Sequence, residues 1–348
     1  MEFLFEYGLF LAKAITLVVA ILVVVGVIIA MASKQKQRPG NLEFDSISDV
    51  YDDLKHQAEA VLLDKEQLKA KQKADKKAEK QKKAEESKKK KDAEKSDAKP
   101  NLFVINFEGS SMAKEVDSLR KEITAVLCVA KEGDEVLVNV ESGGGVVHGY
   151  GLAASQLKRI KDKGLKLTVS VDKIAASGGY MMACVADEII SAPFAIIGSI
   201  GVVAQIPNFN KVLKKNDIDY EMHTAGDFKR TLTLFGENTE EGREKFKEEL
   251  EEVHQMFKDF VSQHRKDVDI AKVATGEYWY GQKALELSLV DKIQTSDDYL
   301  LAANETHKLY RLKYATKKNL AQKLGLAASH GVETAINKAI TQLKNTWM

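Results

Sequence analysis

Short apolar runs of strand length alternate with helical patterns from residue 100 onward, and this alternation restricts the chain to a small group of folds. Because neighbouring parallel strands must be joined by a crossover, it predicts an α/β layered domain with parallel strands and right-handed connections. The predicted strands are 103–107, 135–140, 166–171, 187–191, 195–204 and 220–224, and the predicted helices are 113–130, 147–163, 178–186, 209–215 and 240–265.

The N-terminal region contains an apolar run from Leu9 to Met31 whose only charged residue is Lys13. Such a run is long enough to cross a bilayer, which needs about 20 apolar residues. A cleavable signal peptide would begin with positive charge, whereas Glu2 and Glu6 precede this run, so a retained transmembrane helix is predicted. Basic residues follow the run and favour an N-out, C-in orientation, but long domains translocate regardless of flanking charge, which leaves both membrane faces open for the folded domain.

Charge is strongly segregated along the rest of the chain, although the net charge is only +1, which argues against nucleic acid as the main partner. Residues 44–68 carry apolar positions at helical spacing and predict a helix. The stretch from Lys65 to Lys99 holds 15 lysines against 8 acidic residues. It predicts a solvated spacer, which anionic lipid headgroups would attract on the cytoplasmic side.

The two cysteines, Cys128 and Cys184, both stand in apolar sequence surroundings without the spacing of a metal site. We expect two buried free thiols rather than a disulfide.

A strand-to-turn segment ends at Ser177, which lies between Ala176 and Gly178. Small neighbours allow a sharp turn and leave room for a substrate carbonyl beside the hydroxyl and the next backbone N–H. This pattern predicts a nucleophilic serine, which needs a base to remove its proton. The segment lacks the flanking glycine of the G-x-S-x-G elbow, and none of the seven histidines lies in a comparable loop, so a lysine is the obvious base.

Two other segments are candidates for the same site. The predicted strand that ends at Val140 is followed, after Glu141 and Ser142, by three consecutive glycines. Their N–H groups can point at developing negative charge together with that of Gly178. Lys229 follows a predicted strand and a glycine turn, and its apolar neighbours include Phe228 and Phe235. Because burial disfavours the charged form of lysine, such surroundings would lower its pKa from about 10.4. Ser199 can hydrogen-bond the amine and hold it toward the nucleophile.

Residues 101 to about 300 resemble the bacterial signal peptide peptidase A family of Ser–Lys membrane proteases. The resemblance rests on four motifs, on their order, and on spacings of 22 residues from Ser177 to Ser199 and 52 residues from Ser177 to Lys229. The motifs are Glu141-Ser142-Gly143-Gly144, Ala176-Ser177-Gly178-Gly179-Tyr180, Gly198-Ser199-Ile200-Gly201 and Gly226-Asp227-Phe228-Lys229.

This resemblance implies Ser177 as nucleophile, Lys229 as general base, Ser199 as orienter, and the N–H groups of Gly144 and Gly178 as the oxyanion hole. It also implies a fold similar to Clp protease and the crotonases, ring-like homo-oligomers, and membrane-associated peptide substrates such as signal-peptide remnants, in the bacterial inner membrane. No metal or cofactor is expected. Two positions depart from the family: Gly143 replaces a proline, and Ser288 stands where glycine is favoured.

The resulting predicted organisation is an N-terminal flank 1–8, a transmembrane helix 9–31, a juxtamembrane helix and Lys-rich linker 32–99, a protease domain 100–305 and a basic helical tail 306–348. Two other classes of function fit parts of the sequence. A non-catalytic crotonase-like membrane scaffold would use the linker and tail as docking segments. A dinucleotide site at Gly149-Tyr150-Gly151 fits poorly, because eight residues separate the preceding strand from Gly149.

Overall fold

The computed structural model describes residues 40–64 and 99–315, together with the single positions 10, 13, 16, 66, 67, 71 and 73. Apart from these single positions, three predicted segments lie outside the described residues: the transmembrane helix, most of the Lys-rich linker and the tail beyond residue 315. Within the described part, no helix combines the length and apolar character needed to cross a bilayer. Among the described residues, 43–313 form one compact unit.

The helices and strands of the described residues follow in chain order. They are β1 Asn41–Ser46, α1 Ile47–Leu62, β2 Asn101–Glu108, α2 Val116–Val129, β3 Glu135–Glu141, α3 Val147–Asp162, β4 Lys166–Val171, β5 Ile174–Ala176, α4 Gly178–Ala183, β6 Glu188–Ser191, β7 Ile196–Gly198, α5 Asn210–Lys215, α6 Glu240–His264, α7 Ile270–Val273, β8 Tyr278–Tyr280, α8 Gly281–Glu286, β9 Lys292–Ile293, α9 Ser296–Ala303 and β10 Lys308–Ala315.

The main sheet has seven strands in the order β1-β10-β2-β3-β4-β6-β9, and a smaller sheet has the order β5-β7-β8. The registered pairs from β10 through β9 are all parallel, whereas β7 and β8 run antiparallel. The predicted α/β class is therefore confirmed. Strands β2, β3 and β4 are almost continuously buried, as expected for a parallel sheet with helices on both faces.

The core lies on both sides of this sheet. One face packs against α2, α3 and α4 through apolar side chains such as Ile123, Leu157 and Met182. The other face packs against the start of α1 and against α9, through Ile47, Leu137 and Leu300. Ser46 caps α1 by accepting a hydrogen bond from the backbone N–H of Asp49, so the predicted juxtamembrane helix begins at a defined residue.

Several predictions about secondary structure were wrong. Residues 220–224 form no strand, because no neighbouring strand pairs with them and their side chains are exposed. Residues 308–315 form β10 rather than a helix, since the open edge of β2 offers hydrogen bonds to a parallel partner. The strand predicted over 195–204 is limited to β7. Sheet pairing therefore continues past residue 305, where the predicted protease domain ends.

Two remaining sequence features also find their place in the described structure. Cys184 is buried as expected, but Cys128 is exposed, because it lies on the solvent side of α2 near its end. Ser288 adopts a φ of 60°, a left-handed conformation that glycine tolerates better, in agreement with the glycine that the resemblance implies at this position.

Candidate active site

The predicted serine turn and glycine loop meet where three strands end. Ser142, just after β3, bridges in parallel to Ala175 of β5. The last residue of β5, Ala176, pairs with Gly198 at the end of β7. Because parallel strands present their carboxyl ends at one edge, the segments that follow them converge. The glycine loop after β3 therefore lies beside the Ser177 turn, and the Ser199 turn lies next to them.

Ser177 lies between β5 and α4 with φ 52° and ψ −120°, a conformation that non-glycine residues rarely adopt. Its N–H donates to the carbonyl of Gly198 at 2.7 Å, and its carbonyl accepts from the N–H of Met181 at 2.9 Å. This strained strand-to-helix turn is the context in which nucleophilic serines of hydrolases are presented, although the flanking glycine pattern is absent. Strain of this kind persists where the surrounding structure holds it and is typical of functional sites.

Gly144 and Gly178 lie against one another beside Ser177. Gly144 has a φ of 86°, and a Cβ atom on it would come within 2.6 Å of the Gly178 nitrogen and 2.7 Å of the Ser177 Cβ. A Cβ on Gly178 would overlap the ring of Tyr150. Both positions therefore require glycine, and both predicted oxyanion-hole residues border the candidate nucleophile.

A buried hydrogen-bond network holds the glycine loop. The Ser142 hydroxyl is hydrogen-bonded to the Tyr150 hydroxyl, and the Ser142 Oγ accepts the N–H of Gly144 at 3.1 Å. The Tyr150 hydroxyl also donates to the Ser110 carbonyl at 2.8 Å. Burial raises the pKa of Tyr150, so this hydroxyl stays protonated. Sequence reasoning missed the role of Tyr150, which had attracted attention only as part of a dinucleotide-like pattern.

A cavity of about 750 Å³ opens beside these residues. Its lining includes Gly144, Ser177, Gly178, Ser199, His254 and Phe257. Ser199 has a φ of 51°, and its N–H donates to the Glu277 carbonyl at 2.7 Å, which fixes the turn after β7. The cavity therefore provides space for an extended ligand directly beside the candidate nucleophile.

Lys229 is not among the residues that line this cavity. It lies in an irregular stretch, where its N–H donates to the Gly226 carbonyl at 3.3 Å, and it is exposed. Its neighbour Phe228 is also exposed, and the Lys245 ammonium nitrogen lies 5.5 Å from the centroid of the Phe228 ring. Within one chain, the expectation of an amine buried among apolar neighbours is therefore wrong, because those neighbours face solvent.

Two histidines close in sequence to these loops, His148 and His223, lie on the surface. His148 is exposed at the start of α3, and His223 is exposed and lies 3.5 Å from the Glu221 carboxylate. His254, which the sequence did not single out, instead faces the cavity. Its position on the buried side of an amphipathic helix made it indistinguishable from a packing residue by pattern alone.

Known proteins resemble this chain over most of its length. Two solved structures of the 1510-N membrane-bound stomatin-specific protease, a serine-to-alanine variant and a lysine-to-alanine variant with a substrate peptide, align with 59% and 65% of this chain and with 84% and 96% of theirs. Their TM-scores are 0.39 and 0.41, at 14% and 12% identity.

Sequence comparison is more specific. The N-terminal region of peptidase family S49 matches residues 2–157, and peptidase family S49 itself matches residues 159–310. "Probable protease SohB" of Haemophilus influenzae is 50% identical over 100% of this chain and 99% of its own length. "Probable protease SohB" of Buchnera aphidicola subsp. Schlechtendalia chinensis is 49% identical over 87% of this chain and 100% of its own length. The resemblance inferred from the four motifs is thereby confirmed, and the chain belongs to peptidase family S49, as a serine protease.

Proposed function

We propose that this protease is a membrane-anchored endopeptidase that cleaves peptides through an acyl-enzyme. The proposed roles are nucleophile for Ser177, general base for Lys229, orienter of the amine for Ser199, and oxyanion hole for the N–H groups of Gly144 and Gly178. The observation that carries the proposal is the strained Ser177 turn, which lies against two glycines at the mouth of a cavity. A non-catalytic scaffold is not favoured, because its membrane role would leave this strained turn unexplained.

The proposed chemistry needs only groups of the chain. The Ser177 Oγ attacks the scissile carbonyl carbon while its proton passes to the neutral Lys229 amine. The carbonyl oxygen becomes an oxyanion, which the two backbone N–H groups stabilise. The lysine then gives its proton to the leaving amine, and a water molecule, activated by the same lysine, hydrolyses the acyl-enzyme.

The oxyanion hole must draw on a hydrogen bond that is already in use. The Gly144 N–H donates to the Ser142 Oγ at 3.1 Å, so an oxyanion would share this N–H with the hydroxyl or take it over. Because hydrogen bonds to charged acceptors are roughly twice as strong as those to neutral ones, the exchange would favour the oxyanion. Such an interaction strengthens as charge develops, which is what catalysis requires.

Lys229 needs an environment that the single chain does not supply. A general base must be a neutral amine, and burial away from water favours the neutral form of lysine, whereas Lys229 is exposed. Residues 199–239 also leave large apolar side chains exposed, among them Val203, Phe209, Val212, Ile218 and Phe235. We infer that copies of the chain associate through this segment, and that assembly covers Lys229 and brings it to the Ser177 of an adjacent copy.

The proposed anchor is supported by the apolar run in the sequence, and the proposed substrate class by the family resemblance. We propose that residues 9–31 hold the enzyme in the bacterial inner membrane with lipid around the helix, and that its substrates are membrane-associated peptides such as signal-peptide remnants. The Clp protease and crotonase-like layering remains part of this proposal. Extraction of membranes at alkaline pH should leave the full chain in the pellet, and recovery of the chain in the supernatant would contradict the anchor.

The dyad is tested with an unfolded reporter peptide and an active-site-directed fluorophosphonate. We expect the wild-type protein to cleave the peptide and to be labelled, Ser177→Ala to do neither, and Lys229→Ala to lose cleavage by at least about 1,000-fold. Arg230→Ala is the matched control, because it removes the neighbouring exposed cation. Equal turnover by Ser177→Ala and wild type would end the proposal.

Mixed oligomers test whether the dyad joins two copies. Co-expressed Ser177→Ala and Lys229→Ala chains should regain activity, because Ser177 of one chain would meet Lys229 of the other. A dyad formed within one chain would leave every site in the mixture incomplete, so activity would stay at the level of the separate variants.

A further inference from the structure

The loop between β2 and α2, residues 109–114, lies directly against the glycine loop. The Val146 N–H donates to the Ser111 carbonyl at 2.9 Å, which joins the two loops through their backbones. A Cβ atom on Gly145 would lie 2.0 Å from the Ser111 carbonyl oxygen, so no side chain separates them. A shift of residues 109–114 would therefore displace the glycine loop as well.

Glu115 fastens this loop to the start of α2. Its carboxylate Oε2 accepts hydrogen bonds from the N–H and the hydroxyl of Ser110, at 3.0 and 2.9 Å. Partial burial opposes the charge of Glu115, but these bonds outweigh it and lower the pKa, so both bonds are charge-assisted. Ala113 lies within the turn and has a φ of 52°, a conformation that non-glycine residues rarely adopt. The carboxylate thus closes a strained turn.

The connection continues from Ser110 to a proposed oxyanion donor. The peptide group whose N–H donates to Glu115 has its carbonyl oxygen on Gly109, and this oxygen lies 3.2 Å from the Ser142 hydroxyl. Hydrogen bonds in such a chain polarise one another, so the carboxylate makes that carbonyl a better acceptor. The Ser142 Oγ in turn accepts the Gly144 N–H at 3.1 Å. Only one peptide group and one hydroxyl separate the carboxylate from this N–H.

We propose that Glu115 is a positioning residue for the reaction, which holds the Gly144 N–H where the oxyanion forms. The proposal rests on the proposed roles of Ser177 and Gly144. Glu115 is not among the residues that line the cavity, so it acts on the substrate only through these groups. Because an oxyanion hole works through donors that are in place before charge develops, a displaced donor raises the energy of the transition state more than that of the bound substrate.

The first measurement is the steady-state kinetics of the full chain. We expect Glu115→Ala to lower kcat about 10- to 50-fold with KM within about twofold of wild type. Glu115→Gln, whose side-chain carbonyl still accepts from Ser110, should lose only about threefold. It is also the variant compared should Glu115→Ala fail to fold. All rates are measured at a temperature at which denaturation curves show each variant to be folded.

Asp117→Ala is the matched control for these kinetics. Asp117 is the acidic residue in the first turn of α2, so its removal also takes a negative charge from this helix terminus. Its side chain is 83% exposed and lies 3.8 Å from Arg120 rather than on Ser110. We expect Asp117→Ala to retain wild-type kcat. Equal losses of kcat in Asp117→Ala and Glu115→Ala would overturn the proposal, because the helix terminus alone would then account for them.

The second measurement uses a peptide aldehyde with the reporter sequence up to the scissile bond. Its carbonyl carbon bonds to the Ser177 Oγ, the hydroxyl proton passes to the base, and the carbonyl oxygen becomes the oxyanion. We expect its inhibition constant to rise in Glu115→Ala by the factor by which kcat/KM falls. Binding of the intact reporter in a Ser177→Ala background should stay within about twofold. Reporter binding that weakens as much as aldehyde binding would overturn the proposal, since Glu115 would then shape the cavity.

A double-mutant cycle tests whether Glu115 acts through Ser142. We expect Glu115→Ala to lower kcat much less in a Ser142→Ala background than in the wild type, because the connection is already broken. Additive losses would overturn the proposed connection. Ser177-dependent cleavage by the wild type with unchanged kcat in Glu115→Ala would overturn this inference alone, whereas wild-type cleavage that does not need Ser177 would refute the proposed function itself.

Discussion

The backbone of Gly144 packs directly on that of Gly178, at a distance that leaves no room for a side chain between the two residues. A Cβ atom on Gly144 would lie 2.6 Å from the Gly178 nitrogen and 2.9 Å from the Ala176 carbonyl oxygen. These neighbours are backbone atoms, which cannot turn aside as a flexible side chain can. The proposed oxyanion hole is thus built from two loops in direct contact.

We predict that Gly144→Ala lowers kcat by at least about 100-fold, because displacing one oxyanion donor has a cost of this order. The positive φ of 86° adds strain, so unfolding should also occur at lower denaturant concentration. Steady-state peptide cleavage and chemical denaturation measure the two effects. Gly151→Ala is the control, since a Cβ there meets no atom within 4 Å, and it should leave activity unchanged. Full activity in Gly144→Ala would exclude this residue from the oxyanion hole.

Gly143→Pro is predicted to raise activity modestly, about twofold, and stability by about 0.4–1 kcal/mol. Gly143 is not among the residues with positive φ, and the nearest atom to an added Cβ is the Ile174 Cδ1 at 3.8 Å, so a side chain fits there. Proline would restrict the conformations of the unfolded chain, which raises stability. It would also make the glycine loop of the folded protein more rigid. Cleavage rates and thermal unfolding of the variant test this, and unchanged or lower activity in a folded protein would refute the prediction that a more rigid loop raises activity.

Tyr150→Phe is predicted to lower kcat about tenfold with little change in KM, and to reduce the free energy of unfolding by about 1–3 kcal/mol. The lost hydroxyl bonds to Ser142 and to the Ser110 carbonyl, and Ser142 in turn accepts the Gly144 N–H. The split between kcat and KM is the decisive measurement. Tyr280→Phe, at an exposed position, is the control. Lower stability with unchanged kcat would mean that the network serves the fold alone.

Thiol labelling should distinguish the two cysteines. Burial raises the pKa of the Cys184 thiol to about 12, and its Sγ donates to the Met181 carbonyl, whereas Cys128 is exposed. Because the thiolate is the reactive form, DTNB should react with one thiol per chain in the native protein and with two after denaturation. Cys128→Ser should abolish the native reaction. Two reactive thiols in the folded protein would contradict the described packing of α4.

Acid should weaken the fold partly through Glu115. Partial burial alone raises its pKa, but hydrogen bonds from the Ser110 N–H and hydroxyl, at 3.0 and 2.9 Å, outweigh that effect and lower the pKa. A lowered pKa contributes stability above the ordinary value of 4.5, and this contribution is lost as the pH falls through the folded-state value.

Denaturation midpoints measured from about pH 6 down to about pH 3 should therefore fall less steeply for Glu115→Gln than for wild type. Glu305→Gln, an exposed substitution elsewhere, is the control and should follow the wild-type curve. Parallel curves for wild type and Glu115→Gln would show that the Ser110 hydrogen bonds add no acid-sensitive stability.

Much of the site could be predicted from the sequence, because its parts are short motifs at strand ends. Ser177, Gly178 and Ser199 follow β5 and β7, and parallel pairing brings such positions together without further information. Lys229 behaves differently, since it belongs to an irregular segment whose position depends on its own side-chain hydrogen bonds. An example is the Asn208 amide, which donates to the carbonyls of Thr233 and Gly236. No periodic pattern encodes such contacts.

Tyr150 and His254 escaped prediction for another reason. Both lie on helices whose amphipathic pattern predicts only that one face is turned inward. Whether an inward side chain fills the core or borders a cavity depends on what the facing elements leave open. The error at residues 308–315 has the same origin, because an alternating basic and apolar stretch takes the conformation that its neighbour can pair with.

Strand β10 has a consequence for how the protein is made. It pairs with β2, the first strand of the catalytic region, and its Leu309 packs with Ile47, Leu102 and Leu137. Residue 309 has to be synthesised before this part of the core can form. A truncated message would therefore yield a chain in which the edge of β2 is unpaired and the core is incomplete. Prematurely terminated products should accordingly be recognised as unfolded and degraded, instead of persisting as a shortened, unregulated protease.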